Sequence, residues 1–286
     1  HRHEQLSKGQ LKGRYAEAEP LLQKVLQVRE EALGNVHPLY VQSLEDMAIL
    51  LWKKKELAKA YPLYHDAMEK TLDFINRYFP PMSEAEKTKY WDILSPRFQR
   101  FYNFAVEANT VNKDIINDLF EYRAATKGLL LNSTRKISQA ILAGGNQQLI
   151  KDYTDWIDHK EQLTAYYAYS KEDLKEQSVN LDSLETAVNR MEKKLSENSK
   201  DFANFFFSGK TKVAEVQKEL KADDALIEII RLRKFDQMFT NECRYLGLVV
   251  TKNNPQPKMI MLENGTDLEN KYSKTYRLSI KNKLND

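Results

Sequence analysis

The sequence predicts a mainly α protein: helical repeats, then a long helical connector, then the start of an α/β domain. Three observations carry this. First, glycine and proline number only 9 and 8 in 286 residues, and no proline stands between Pro96 and Pro255. Both residues punctuate turns, and a fold of many short strands needs many turns. A sandwich or barrel is therefore excluded over most of the chain. Second, the string Tyr15-Ala-Glu-Ala-Glu-Pro-Leu-Leu22 returns 42 residues later as Leu57-Ala-Lys-Ala-Tyr-Pro-Leu-Tyr64. Ala16/Ala58, Ala18/Ala60, Pro20/Pro62 and Leu21/Leu63 are identical, and a fixed period of this size marks helix pairs that stack to share a core. Third, the pattern changes after Gly209. Short β-branched runs replace helical periodicity at Ala225–Leu232, Tyr245–Thr251 and Lys258–Leu262.

In the repeat region, residues 1–110, Leu44, Met47, Ala48 and Leu51 share one helix face, and Ala60, Tyr64 and Ala67 share another. Small Ala48 and Ala60 suit two helices that approach closely. The second helix is expected to run to Phe79, where Pro80-Pro81 stops it. Ser83-Glu-Ala-Glu86 reads as a capping box for a third helix pair, which Pro96 is expected to kink or restart. The connector, residues 111–208, is strongly 3.6-periodic. Leu129–Leu131 leads into Ile137, Ile141 and Leu142, and Gly144-Gly145 is its clearest stop. Leu181, Leu184, Val188, Met191 and Leu195 step by three and four, as one arm of a short antiparallel hairpin would. In residues 209–286, three strands and a helix from Asp267 to Leu284 read as the N-terminal portion of an α/β domain. About 75 residues with three strands bury little core, so this domain is expected to be cut short. The N-terminus, His1-Arg2-His3-Glu4, opens on charge and is expected to be a cut inside a longer protein.

Charge narrows the function classes. Lys plus Arg is 44 and Asp plus Glu is 41, a net charge of +3. A balanced charged fraction of 30% fits solvated helix faces rather than the basic concentration of a nucleic-acid binder. No apolar run reaches the roughly 18 residues of a membrane span. The lone Cys243 excludes an internal disulfide framework and points to a reducing, cytoplasmic setting.

The helix pairs of the first region resemble tetratricopeptide repeats. The Gly34-Asn-Val-His-Pro38 turn and the 42-residue period are similar to the kinesin-light-chain-like variety, with Glu56 where that pattern has a turn glycine. Further strings resemble bacterial proteins in which such repeats precede a caspase-like CHAT domain. They are residues 121–142, opening Glu121-Tyr-Arg-Ala-Ala-Thr-Lys-Gly; Trp156 with Lys160-Glu-Gln-Leu163; Asn180-Leu-Asp-Ser-Leu-Glu185; and Asp223-Asp-Ala-Leu-Ile-Glu-Ile-Ile230. The resemblance covers about 15–286 and rests on several strings in order. It implies a caspase-like α/β domain whose cysteine nucleophile and histidine lie beyond Asp286. No catalytic residue carries over.

Each chemical candidate has a structural reading beside it. Cys243 is expected at a strand start, without the base that lowers a nucleophile's pKa. The histidines stand at 1, 3, 37, 65 and 159. His37 suits a turn hydrogen bond and His65 an exposed repeat face. No set has metal-ligand spacing, so no metal and no cofactor are expected. Gly144-Gly145 lacks the strand and lysine of a phosphate loop. Asp223-Asp224 reads as turn solvation, and Arg231-Leu-Arg-Lys234 as a solvated face. The aromatic cluster Tyr166, Tyr167, Tyr169, Phe202 and Phe205–Phe207 reads as interdomain packing. The candidate peptide groove is Gln42, Glu45, Ile49, Trp52 and Lys53, with a partly exposed Trp52 as anchor. The function expected is a protein-binding scaffold that regulates an attached protease-like domain. Its partners are a protein or peptide ligand and that downstream domain, with no nucleic acid and no membrane. The rival readings are a purely structural protein with a degenerate domain, and an enzyme completed by oligomerisation.

Overall fold

The computed structural model describes residues 8–79, 82–127, 141–167, 169, 171–198 and 210–283. Helices α1 (Lys8–Leu33), α2 (Pro38–Lys53), α3 (Leu57–Tyr78), α4 (Glu84–Ala108) and α5 (Ile115–Thr126) come first. Then follow α6 (Gln147–Tyr166), α7 (Lys171–Glu176), α8 (Leu181–Asn198) and α9 (Val213–Glu219). Strands β1 (Ala225–Asp236), β2 (Met238–Thr251) and β3 (Lys258–Leu262) precede a helical turn at Gly265–Asp267. A π-helical turn at Leu268–Tyr272 leads into α10 (Ser273–Lys283). The protein is mainly α with a small sheet near its C-terminus. Leu129–Leu131, Ile137, Phe202, Phe205–Phe207, Pro80-Pro81 and His1–His3 lie outside the described residues.

Contacts divide the chain into two compact units. One comprises His1–Thr71, Ser95–Thr126 and Lys210–Asp286; the other comprises Leu72–Leu94 and Lys127–Gly209.

In the first unit, α1 to α3 form the repeat core. Tyr40, Val41, Leu44 and Ala67 are buried, with Leu26 and Leu63 packed against them. Ala48, Ala60 and Ala67 are fully buried, so the helices they sit on approach without side-chain bulk between them. His37 is the N-cap of α2: its Nδ1 accepts the Leu39 N–H at 3.2 Å, and Pro38 takes the first helical position, where its missing N–H costs nothing. At the other end of α2, Lys55 carries φ 65°. Lys55 N–H donates to the Trp52 carbonyl at 2.8 Å and Glu56 N–H to that of Leu51 at 2.9 Å, the two bonds of a Schellman close. The left-handed position is thus one residue before Glu56, and a lysine holds it.

Pro96 does not restart a helix. The expected third pair is the single helix α4, continuous through Pro96. Its described first turn begins with the capping box read from sequence: Ser83 N–H donates to Glu86 Oε2 at 2.9 Å, and Glu86 N–H to Ser83 Oγ at 3.3 Å.

The sheet is an antiparallel meander, β1-β2-β3. Ile229 faces Gly247, which faces Ile260; Arg231 faces Tyr245, which faces Leu262. Alternation puts Ile230, Leu232, Leu246, Leu248 and Val250 on the buried face. Ile227, Ile229, Ile260 and Leu262 lie on the other, where each is 44–62% exposed. β1 and β2 are longer than the sequence runs suggested. They close through Gln237 at φ 61°, with Asp236 facing Met238. Cys243 therefore lies inside β2, not at a strand start.

In the second unit, Asn146 caps α6, its side-chain oxygen accepting from Gln148 N–H at 3.1 Å and Leu149 N–H at 3.2 Å. Gly145 precedes it at φ 68°. α6 and α8 pack together around Trp156, Tyr153, Leu163, Val188 and Leu195, with Leu181, Leu184 and Met191 partly buried against them. Tyr167 and Tyr169 are exposed.

Candidate protein-interaction site

The inner face of α2 is the surface on which the five groove residues were placed. The structure brings them onto one helix but leaves little of them open. Glu45 is fully buried and Trp52, expected partly exposed, is 1% exposed; Gln42, Ile49 and Lys53 are half-buried. Two elements of the same unit cover them.

Helix α4 covers Glu45. Arg100 holds its carboxylate as a fork, Nε to Oε1 at 2.6 Å and Nη2 to Oε2 at 3.0 Å. Arg97 adds Nε to Oε2 at 3.0 Å and donates to Thr71 Oγ1 at 2.8 Å and Gln42 Oε1 at 3.1 Å. One buried carboxylate thus serves two guanidiniums, each with hydrogen-bond geometry that offsets its desolvation. Salt-bridging to Glu45 raises the Arg100 pKa against the opposing pull of burial.

The tip of the β1–β2 hairpin covers Trp52. Phe235 stacks on the indole at 5.8 Å, and Phe104 meets it edge-on at 5.7 Å. Lys53 lies 4.7 Å from the Trp52 ring and 5.3 Å from Phe235, and pairs with Asp236 at 3.3 Å. Two amides of α4, one turn apart, then treat the free edge of β1 as a partner strand would. Gln99 donates to the Arg231 carbonyl at 3.2 Å and accepts from Arg233 N–H at 3.4 Å. Asn103 donates to the Arg233 carbonyl at 2.8 Å and accepts from Phe235 N–H at 3.3 Å. A cavity of about 540 Å³ remains beside the tip, walled by Tyr15, Lys53, Asn103, Phe235 and Arg244.

Sequence reasoning missed a second polar cluster, between α3 and α5. His65 Nδ1 lies 2.9 Å from Asp118 Oδ2 and 3.1 Å from Tyr122 Oη. Tyr61 donates to Asp118 at 2.7 Å, Tyr122 donates to Glu69 at 2.6 Å, and Lys210 pairs with Glu69. The hydrogen bond to Asp118 raises the His65 pKa, and burial raises those of Tyr61 and Tyr122. Both contacts of His65 fall on one ring nitrogen, so this is a tether and not a proton relay. The available signal was two pairs at i,i+4, His65/Glu69 and Asp118/Tyr122, on different helices.

Cys243 has no base. It is buried, burial raises its thiol pKa, and its N–H donates to Thr266 Oγ1 at 2.9 Å. His159 is exposed and its ring donates to the Asp155 carbonyl at 2.7 Å. Among the described residues there is no group of metal-ligating side chains, and no helix is long and apolar enough to cross a membrane.

Residues 10–70 match the tetratricopeptide repeat family model. That span holds nearly all of α1, all of α2, whose inner face was just described, and most of α3. This segment is a tetratricopeptide-repeat segment, the kind of helical scaffold that mediates protein–protein interaction. No curated protein matches the chain.

Proposed function

We propose that the chain is a cytoplasmic interaction scaffold whose repeats, residues 1–110, receive a protein or peptide signal and pass it to a caspase-like CHAT domain. In this reading 111–208 is the connector and 209–286 the N-terminal portion of the CHAT domain. The catalytic cysteine and histidine belong to a part of that domain outside these residues. The observation that carries the reading is the seat of the hairpin. Phe235 and Asp236 occupy Trp52 and Lys53, on the face where a repeat takes its ligand. A ligand competing for that face acts directly on β1 and β2.

The test is a selection of displayed peptides against two forms of the chain, wild type and Phe235→Ala. Removing the ring opens Trp52 without touching the repeat core. Peptides should be enriched more strongly on the variant, and Trp52→Ala should abolish their binding. Equal enrichment on both forms, or binding indifferent to Trp52, would defeat the coupling.

A further inference from the structure

The bare face of the sheet is the floor of a second groove, independent of the repeats. Ile229 and Leu262 form its apolar floor, extended by Ile227 and Ile260. Gly247 lies between Ile229 and Ile260 in the register and puts no side chain between them. Lys274 and Arg277, on α10, stand along one wall, and the groove holds about 720 Å³. Glu269 fixes that wall to the sheet: it accepts from Arg231 Nη2 at 2.8 Å and from the Tyr245 hydroxyl at 2.8 Å. Those bonds, Arg231 first, hold the Glu269 pKa down at about 2. The one carboxylate in the groove is thereby committed. No carboxylate pairs with Lys274 or Arg277 among the described residues, and both are exposed.

The geometry points to an acidic, amphipathic protein segment as the occupant of this groove. Apolar side chains would cover the isoleucine and leucine floor, and carboxylates would meet Lys274 and Arg277. Charge decides among occupants. A second copy of this chain docked by the same face would bring no free carboxylate from this groove to Lys274 and Arg277, because Glu269 is already paired with Arg231 and Tyr245. A bilayer offers a flat anionic surface, whereas the apolar floor lies recessed beside a cationic helix.

The test uses the full chain and a fluorescein-labelled helical peptide with leucine on one face and glutamate on the other. Fluorescence anisotropy should show binding that weakens with salt. Lys274→Glu combined with Arg277→Glu should weaken it at least about tenfold, a change of about 1.4 kcal/mol. Gly247→Leu should do the same by filling the floor. A Cβ at Gly247 meets only Ile260 atoms, at 3.8 and 3.9 Å, which is ordinary van der Waals contact. Circular dichroism of each variant should match wild type. The proposal is overturned if the peptide does not bind, if a lysine-for-glutamate peptide binds as well, or if the variants leave binding unchanged. It is equally overturned if light scattering shows a dimer that these variants dissolve, or if phosphatidylglycerol vesicles bind the chain and the peptide does not.

Discussion

Gly265 and Glu45 show how single atoms constrain this protein. A Cβ on Gly265 would lie 2.6 Å from the Cys243 carbonyl oxygen and 2.9 Å from the Arg244 Cα. Both are backbone atoms of β2, which cannot swing aside. Gly265→Ala should therefore cost about 1–3 kcal/mol of stability, the range for overpacking, measurable as a lower urea midpoint. Glu45 works through charge. Glu45→Gln keeps its shape but leaves Arg97 and Arg100 without a carboxylate in a buried site. Breaking a buried pair in this way costs about 3–5 kcal/mol, and the same denaturation experiment should show it. A loss under about 1 kcal/mol would mean that solvent reaches the two guanidiniums and screens them.

Helix ends and strand edges carry the next set of expectations. Lys55 holds a left-handed conformation that costs a non-glycine residue about 1–2 kcal/mol. Lys55→Gly should raise stability by up to about 1 kcal/mol, read as a higher Tm. Its ion pair with Glu107 at 2.8 Å is largely exposed and offsets little of that gain. Gln99 and Asn103 guard the edge of β1. Replacing both by alanine strips four edge hydrogen bonds. An open edge recruits other chains, so the double variant should self-associate in light scattering where wild type does not.

What could be read in advance divides along the same line between local and distant contacts. The Ser83 capping box and the His37 turn are local, their residues only a few positions apart, and the repeat period is a likeness between two stretches of sequence that needs no contact to be seen. The five residues of the α2 face stand on one helix, which could be read because helical phase is a property of one segment. Their burial could not be read, because it comes from Phe235 and Arg100, far along the chain. The hairpin turn was hidden for another reason. It runs Phe235-Asp-Gln-Met-Phe239, with a glutamine at positive φ and no Asn-Gly or Asp-Gly signal. A restart at Pro96, one of the two outcomes expected there, does not occur because a proline is a probable helix boundary and not a certain one.

At the scale of the whole molecule, three chain segments that are far apart in sequence build one unit. The His65 cluster ties all three together, since His65 meets Asp118 and Glu69 pairs with Lys210 across it. Its pH response has a definite sign. The folded pKa of His65 is raised above the ordinary 6.5. Its contribution is fully present below the unfolded value and is lost as pH rises through the folded one. Tm should therefore fall modestly as pH rises above the ordinary histidine pKa of about 6.5, and Asp118→Asn should flatten that slope. A slope that survives in the variant would assign the effect to another group.

The amides of Gln99 and Asn103 also impose an order in time. Their partners on β1 lie 130 to 134 positions later in the chain. A ribosome adding about 5–20 residues per second takes roughly 10 s to cover that distance. During that interval α4 is already made while the strand it will hold does not exist, and every residue of 127–209 must be extruded between them. The unit that contains the repeats is thus completed after the unit inserted into it.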